Sequence, residues 1–338
     1  MNGVRHPLEE PRSSTQSRLR ALVGKFPSPA YLWFLGLLSL PSIFFGRLEQ
    51  FSLFVLFFLF GLWPLIALVV PGDRNEGTVE PTAWIDFGAQ YEHRAMISSV
   101  LVGLQPFVLW ASLRQLAGVV FVKLRFRGRL PEPGRFQQSV SYRLPFEGEW
   151  TVVNGSPDRR HSHSWSIPSQ RYAYDFFITD ADGRTHDGER IGPEAHYCFD
   201  EPILAPADGT VVAIRTDHRD YHRTDGWIDP LQRDLRGNYV TIQHAEDEFS
   251  VLAHLRCESV TVENGDEIRA GQEIGRCGHS GNSTEPHLHF QVQDRMSFFS
   301  GTGLPVTFSN LTTCFSTTEP THHERGYIHA GALVKPTE

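Results

Sequence analysis

The sequence has few cysteines and no excess of basic residues, and each shortage argues against a class of function. Its four cysteines (Cys198, Cys257, Cys277 and Cys314) contain no Cys-x-x-Cys spacing, which argues against a zinc site built from thiolates. The 31 lysines and arginines are outnumbered by 39 aspartates and glutamates, giving a net charge of −8. A negative chain of this kind is not expected to bind nucleic acid. Cys257 and Cys277 could form a disulfide if they lie outside the cell.

Charged residues are also missing from three long stretches, residues 30–46, 51–70 and 96–113. A bilayer core is crossed by about 20 apolar residues in a helix. We therefore expect residues 30–46 and 51–70 to form a transmembrane hairpin. Residues 96–113 include Gln105 and Pro106, so they are either a third span or an interfacial segment. No small-x-small cleavage site follows the first stretch, which argues against a signal peptide.

The basic residues divide the chain further but leave its topology open. The tail at residues 1–29 is rich in arginine, which favours a cytoplasmic N-terminus and, with three spans, a C-terminal domain outside. The lysine and arginines that follow residue 113 favour two spans instead. The expected order is the tail, a membrane region at residues 30–113, a linker at 114–138 with a strand at 119–126, and a β-rich domain at 139–338.

The last of these segments shows alternation with a period of two residues and no convincing amphipathic helix. This pattern predicts strands at residues 139–144, 149–153, 237–244 and 249–255. The polar stretch from Arg215 to Arg236 is long for a loop in a compact domain. Such a loop either lines a binding groove or is a solvated excursion.

Two segments of the domain look alike, and each carries a strand, a glycine turn and a second strand. Their turns include Asp208-Gly209 and Asn264-Gly265, and glycine is favoured in such tight connections. The pair resembles the barrel-sandwich hybrid of biotinyl and lipoyl carrier domains. We therefore expect an all-β, barrel-sandwich hybrid (duplicated hybrid motif-like) domain, preceded by an α-helical transmembrane region.

The sequence His287-Leu288-His289 lies near the end of this domain. Residues two apart in a strand point to the same face, so His287 and His289 would direct two imidazoles at one place. One imidazole can bind a metal ion while the other handles protons beside it.

Several motifs around this pair occur in one order between residues 145 and 310. They are Ala205-Pro-Ala-Asp-Gly-Thr-Val-Val, Gly237-Asn-Tyr-Val-Thr-Ile-Gln-His, Leu252-Ala-His-Leu, Asn264-Gly-Asp, Gly271-Gln-Glu-Ile-Gly and Gly278-His-Ser-Gly-Asn-Ser-Thr-Glu-Pro-His-Leu-His-Phe. With Asp175 upstream, this half of the chain resembles a divergent branch of the LytM/lysostaphin-type zinc metallopeptidases.

The resemblance implies a Zn²⁺ site formed by His289, Asp175 and a histidine upstream, with water as the fourth ligand. It also implies that His254 and His287 are the catalytic histidines. The family usually places its first histidine four residues before the aspartate. Here the candidates are His163, which we favour, and His161, which lie 12 and 14 residues before Asp175.

The function expected from the resemblance is that of a membrane-anchored zinc metalloendopeptidase. Its substrate would be peptide bonds, in peptidoglycan or similar cell-wall peptides, and its domain would lie outside the cytoplasm with the lipid bilayer as a partner. Protein partners cannot be predicted from the residues. The unusual spacing before Asp175 keeps a second hypothesis open, a non-catalytic peptidase-fold domain that binds or regulates.

Overall fold

The computed structural model describes residues 89–162, 164–188, 192–315 and 319–337. The predicted spans at 30–46 and 51–70 and the predicted ligand His163 lie outside these residues. Within them, two α-helices are followed by twelve β-strands.

The helices are α1 (Ala89–Gly103) and α2 (Pro106–Arg125). They divide the third uncharged stretch, because Pro106 starts a new helix at a position where its missing N–H costs nothing. Within the described residues, α2 alone has the length and composition to cross a membrane, with a mean hydropathy of 1.5 and 17% of its most apolar window buried.

The strand predicted at residues 119–126 is wrong, because α2 runs through this segment to Arg125. Its buried residues are Ala111, Gly118 and Val122, spaced by seven and four positions as on one face of a helix. The alternation of valine and phenylalanine predicted a strand, but the packing of this helical face determines the structure.

Both helices are attached to loops of the β domain. From α1, Arg94 forms an ion pair with Asp225 at 2.7 Å, and the Ser98 hydroxyl accepts a hydrogen bond from the Ile228 amide at 2.8 Å. From α2, the Arg114 guanidinium lies 4.3 Å from the centre of the Phe299 ring, and Arg125 pairs with Asp294.

The strands form one antiparallel sheet in the order β11-β10-β12-β1-β2-β9-β6-β5-β4-β7, together with a separate β3-β8 pair. Their bounds are β1 Trp150–Asn154, β2 Tyr174–Phe177, β3 Pro202–Leu204, β4 Gly209–Arg215, β5 Asn238–Ala245, β6 Glu248–Leu255, β7 Glu267–Ile268, β8 Glu273–Arg276, β9 Leu288–Gln293, β10 Phe308–Cys314, β11 Thr321–Gly326 and β12 Leu333–Pro336.

The β-rich prediction is confirmed, since the domain is mostly β and antiparallel. The strands predicted at 149–153, 237–244 and 249–255 correspond to β1, β5 and β6. The prediction of a strand at 139–144 is wrong, because this segment makes only an isolated bridge through Tyr142 to Phe308. Its backbone is used elsewhere, with Arg143 donating to the Pro206 carbonyl at 2.8 Å.

Strand β9 separates the core of the domain from its polar face. Leu288, Phe290 and Val292 are at most 1% exposed and belong to the main hydrophobic cluster. Because side chains alternate along a strand, His289 and the residues two positions away from it point to the opposite face. The burial of the apolar residues therefore fixes the direction of the histidines.

The possible Cys257–Cys277 disulfide is not present, since all four cysteines are free. Cys277 is fully buried beside Cys198 rather than Cys257, and burial together with its hydrogen bond to Cys198 raises the pKa of the Cys277 thiol. Cys257 is half-buried at the end of β6.

Gly118→Ala tests the attachment of α2. A Cβ atom at Gly118 would lie 1.8 Å from the Phe299 carbonyl oxygen, so we expect a loss of about 1–3 kcal/mol in the free energy of unfolding from overpacking. Gly103→Ala in α1 is the matched control, because its Cβ would meet nothing within 4 Å. Urea unfolding of the full-length chain in detergent measures both, and equal stabilities would contradict the packing described.

Candidate active site

The candidate site is built on one row of residues across four neighbouring strands. Asn154 of β1 is opposite Asp175 of β2, Asp175 is opposite His289 of β9, and His289 is opposite Ala253 of β6. Directly opposed residues in antiparallel strands share a face. The register thus brings Asp175 and His289 together although they are 114 positions apart in the sequence.

His254 reaches this face through a break in the alternation of β6. A regular strand would direct His254 away from the face of its neighbour Ala253. His254 instead has a φ of +62°, in the left-handed region that non-glycine residues rarely adopt. Its ring centre consequently lies 5.8 Å from that of His289 and 4.7 Å from that of His287.

His287 is held just before β9 by a stacking contact on one face of its ring and by a hydrogen bond from its Nδ1. One face stacks on Phe177, with 5.0 Å between ring centres and 10° between planes. Its Nδ1 lies 2.8 Å from the Glu285 carbonyl oxygen, to which it donates. The neutral ring then carries a lone pair on Nε2, which lies 3.8 Å from Asp175 Oδ1.

The charges at the site centre on Asp175. His289 Nδ1 lies 2.9 Å from Asp175 Oδ1, while the Asn154 amide donates to the other carboxylate oxygen at 3.0 Å. Burial disfavours the His289 imidazolium, but the hydrogen bond and charge of Asp175 outweigh it and raise the pKa of His289. Burial, reinforced by His287 and His289, holds the pKa of His254 well below its usual value.

The donor atoms at this point suit a divalent metal ion. An imidazole nitrogen and a carboxylate oxygen converge at 2.9 Å on the wall of a cleft, and both are ligand types that Zn²⁺ accepts. Among the described residues, no three His, Cys, Asp or Glu side chains form a complete metal site. The structure brings together Asp175, His289, His287 and His254 of the predicted set.

The histidine predicted as first ligand, His163, lies outside the described residues. Four residues before Asp175 the chain has Arg171, whose guanidinium lies 4.6 Å from the Trp165 ring centre. The alternative ligand, His161, is half-buried in a short 3₁₀ helix (Arg159–His161), and its carbonyl accepts from the Gly155 amide. His161 is not one of the described residues that line the cleft.

The cleft itself has a volume of about 140 Å³, and its walls come from several loops as well as the strands. Leu235 and Arg236 belong to the polar stretch expected to line a groove or to be solvated, and the structure shows that they line it. The complete lining is Gln170, Asp175, Leu235, Arg236, Ala253, His254, Asn282, His287, His289 and Phe298.

Sequence reasoning did not identify the residues that orient the histidines. Asn154 orients Asp175, and the Ser280 carbonyl accepts from His254 Nδ1 at 2.8 Å. The donor Asn154 belongs to no motif, and the acceptors that orient His254 and His287 are backbone carbonyls, which any residue could provide. Only the strand register and the turn before β9 reveal them.

His279 stabilises the turn before β9 through two hydrogen bonds. Its Nδ1 lies 2.9 Å from the Ser283 hydroxyl and its Nε2 lies 2.8 Å from the Arg223 carbonyl oxygen. Ser283 in turn contacts the Glu285 carbonyl oxygen at 2.6 Å. Burial lowers the pKa of His279 to about 3, so the neutral ring is the stable form.

Comparison with known families gives a match over part of the chain. Residues 184–300 match the family described as Peptidase family M23. The chain contains an M23 peptidase domain. The matched range includes His254, His287 and His289, whereas Asp175 precedes it.

Two relatives of the M23 domain are described as peptidoglycan DD-endopeptidases. Peptidoglycan DD-endopeptidase ShyA of Vibrio cholerae is 33% identical over 90 residues, which are 26% of this chain and 20% of that protein. Peptidoglycan DD-endopeptidase ShyC of the same organism is 38% identical over 158 residues, 47% of this chain and 28% of that protein. The chain thus spans between a fifth and about a quarter of the length of these two relatives.

A solved structure described as a zinc containing peptidase from Vibrio cholerae is also similar. It is 21% identical, and the alignment covers 49% of this chain and 39% of that one with a TM-score of 0.31. A likeness at that TM-score adds no support for the fold.

The left-handed backbone conformation of His254 can be tested by comparing two substitutions. Both His254→Ala and His254→Gly remove the imidazole, but only glycine adopts the left-handed conformation without cost. We expect the glycine variant to be more stable than the alanine variant by about 1 kcal/mol. Thermal unfolding of the two full-length variants measures the difference, and an alanine variant of equal or greater stability would refute the strain.

A second test uses the low pKa of His279. As pH falls below 6.5 towards 3, the unfolded chain protonates this ring and the folded chain does not, so the free energy of unfolding decreases. We expect His279→Gln to reduce that slope by up to about 1.4 kcal/mol per pH unit. Urea unfolding between about pH 7.5 and pH 5 gives both slopes, and parallel profiles would mean that His279 is not buried in its neutral form.

Proposed function

We propose that this chain is a membrane-anchored zinc metalloendopeptidase that hydrolyses peptide bonds in cell-wall peptides. The observation that carries the proposal is the convergence of Asp175, His289, His287 and His254 in one cleft. The M23 domain supports a peptidase, and the peptidoglycan endopeptidases among its relatives support the substrate.

The metal ion in this proposal is held by Asp175 and His289, with His163 as the third ligand. A Zn²⁺ ion bound there would act as a Lewis acid on the scissile carbonyl and would acidify water in the site. Asn154 keeps the Asp175 carboxylate in position, because its amide occupies the second carboxylate oxygen.

His287 and His254 are suited to proton transfer and to charge stabilisation. Each ring donates its Nδ1 proton to a backbone carbonyl, His287 to Glu285 and His254 to Ser280. When neutral, each ring therefore has a lone pair on Nε2, which can accept a proton from attacking water. Once protonated, the same nitrogen can donate to the developing oxyanion or to the leaving amine.

Membrane anchoring in this proposal depends on the uncharged stretches at 30–46 and 51–70. The outer side of α2 supports it, because Trp110, Val120 and Leu124 are 60%, 51% and 74% exposed. A peptidoglycan substrate further requires that the M23 domain lies outside the cytoplasm.

A second candidate function is that of a binding or regulatory domain without catalysis. The observation that favours it is Arg171, which stands where the usual spacing would place the first metal-binding histidine. Such a domain would retain the cleft but would neither hold zinc nor hydrolyse peptides.

His289→Ala separates the two candidates. For the endopeptidase we expect loss of bound zinc and at least about a hundred-fold loss of peptide hydrolysis, because ligand and chemistry are removed together. The measurements are elemental analysis of the full-length protein and release of soluble fragments from purified peptidoglycan.

His322→Ala is the matched control, because the His322 ring is exposed on β11. This variant should change neither the amount of bound zinc nor the rate of peptide hydrolysis. A wild-type chain that contains no zinc and remains inactive after zinc is added would support the binding domain. Full hydrolysis by the His289→Ala protein would refute the assigned metal site.

A further inference from the structure

The polar face of β9 continues beyond the two histidines. Gln291 and Gln293 follow His289 at intervals of two residues, so all three side chains share a face. Both glutamines are almost completely buried, at 1% and 0% exposed. Buried amides are costly unless they are hydrogen-bonded, so their partners reveal their orientation.

The orientation of Gln293 is fixed by backbone carbonyls. Its Nε2 lies 2.7 Å from the Arg295 carbonyl oxygen and 3.3 Å from that of Met296. Because carbonyl oxygens only accept, the NH₂ group of Gln293 must face them. Its Oε1 is therefore directed back along the strand towards Gln291.

The orientation of Gln291 follows from that of Gln293. The Gln291 Nε2 donates to Gln293 Oε1 at 2.6 Å and to the Ser169 carbonyl oxygen at 3.2 Å. Rotating the amide by 180° would place its Oε1 against two acceptors. Gln291 Oε1 consequently faces His289 Nε2, at 3.0 Å.

An acceptor at this position determines which ring nitrogen of His289 keeps its proton. Nε2 carries the hydrogen donated to Gln291, so the ring nitrogen left to bind a metal ion is Nδ1. Nδ1 is the atom that lies 2.9 Å from Asp175 Oδ1. Nδ1 donates to this carboxylate in the structure, and a metal ion bound at Nδ1 in place of that proton would have Asp175 as its expected co-ligand.

We propose that Gln291 and Gln293 form an oriented amide relay that fixes the tautomer and ring position of His289 for metal binding through Nδ1. The relay ends at the carbonyls of Arg295, Met296 and Ser169, so it is anchored to the loop after β9 and to the segment before β2. Gln291 and Gln293 are positioning residues that act through His289. This inference rests on the proposed function, because it concerns the same metal site.

The test compares zinc affinity among variants of the full-length chain in detergent, by competition with a chromogenic chelator. Gln291→Met keeps the size of the side chain but removes the acceptor, and we expect it to weaken zinc binding by about 10- to 100-fold. Gln291→Glu restores an acceptor oxygen facing His289, and we expect its affinity to return to within a few-fold of wild type. Gln293→Met should also weaken zinc binding, but by less. In this variant Gln291 keeps its acceptor oxygen and loses only the hydrogen bond that orients its amide.

The glutamate variant distinguishes positioning from general packing. Glutamate loses both donations from residue 291, to Ser169 and to Gln293, so a purely structural role predicts that Gln291→Glu binds zinc as weakly as Gln291→Met. Gln138→Met is the control for loss of a partly buried amide, which contacts Val140 and Thr307 away from the site. Thermal unfolding without zinc shows whether each variant is folded.

The outcomes separate this inference from the proposed function. Zinc binding by wild type and Gln291→Met with equal affinity, or equally weak binding by the methionine and glutamate variants, would overturn the relay alone. A wild-type chain that binds no zinc would overturn the proposed metal site and the relay with it.

Discussion

The register between β2 and β9 is the constraint on which the candidate site depends. Because Asp175 is directly opposite His289, the carboxylate and imidazole meet without any loop having to place them. A slip of one residue would transfer every side chain of a strand to the other face. The register is protected because the same slip would bring Leu288, Phe290 and Val292 out of the core, so the residues that stabilise the domain also specify the site.

The sequence contained enough information to identify the central residues of the site. His287 and His289 were recognisable from their spacing, and the ordered motifs around them added Asp175 and His254. The means by which His254 reaches the others was not predictable, since period-two alternation directs it to the opposite face. That geometry depends on a left-handed backbone at residue 254, which no residue type in the motif specifies.

The errors lie where tertiary contacts outweigh local pattern. The alternation at residues 119–126 predicted a strand, but the chain is helical there, with Gly118 against Phe299 of the β domain and Val122 buried. The segment 139–144 makes only an isolated bridge, and its amide and carbonyl groups bind Pro206 and Ser309 rather than a neighbouring strand along its length. Long-range partners of this kind cannot be read from the residues of the segment itself.

The loop after β9 joins two parts of the domain that were described separately. Asp294 binds Arg125 of α2, and Phe299 lies beneath Arg114 of the same helix. The neighbouring Phe298 lines the cleft and lies 5.2 Å from the Arg236 guanidinium, which lines it as well. A few residues after β9 thus contact α2 on one side and form part of the cleft wall on the other, so the helix and the cleft share one short supporting loop.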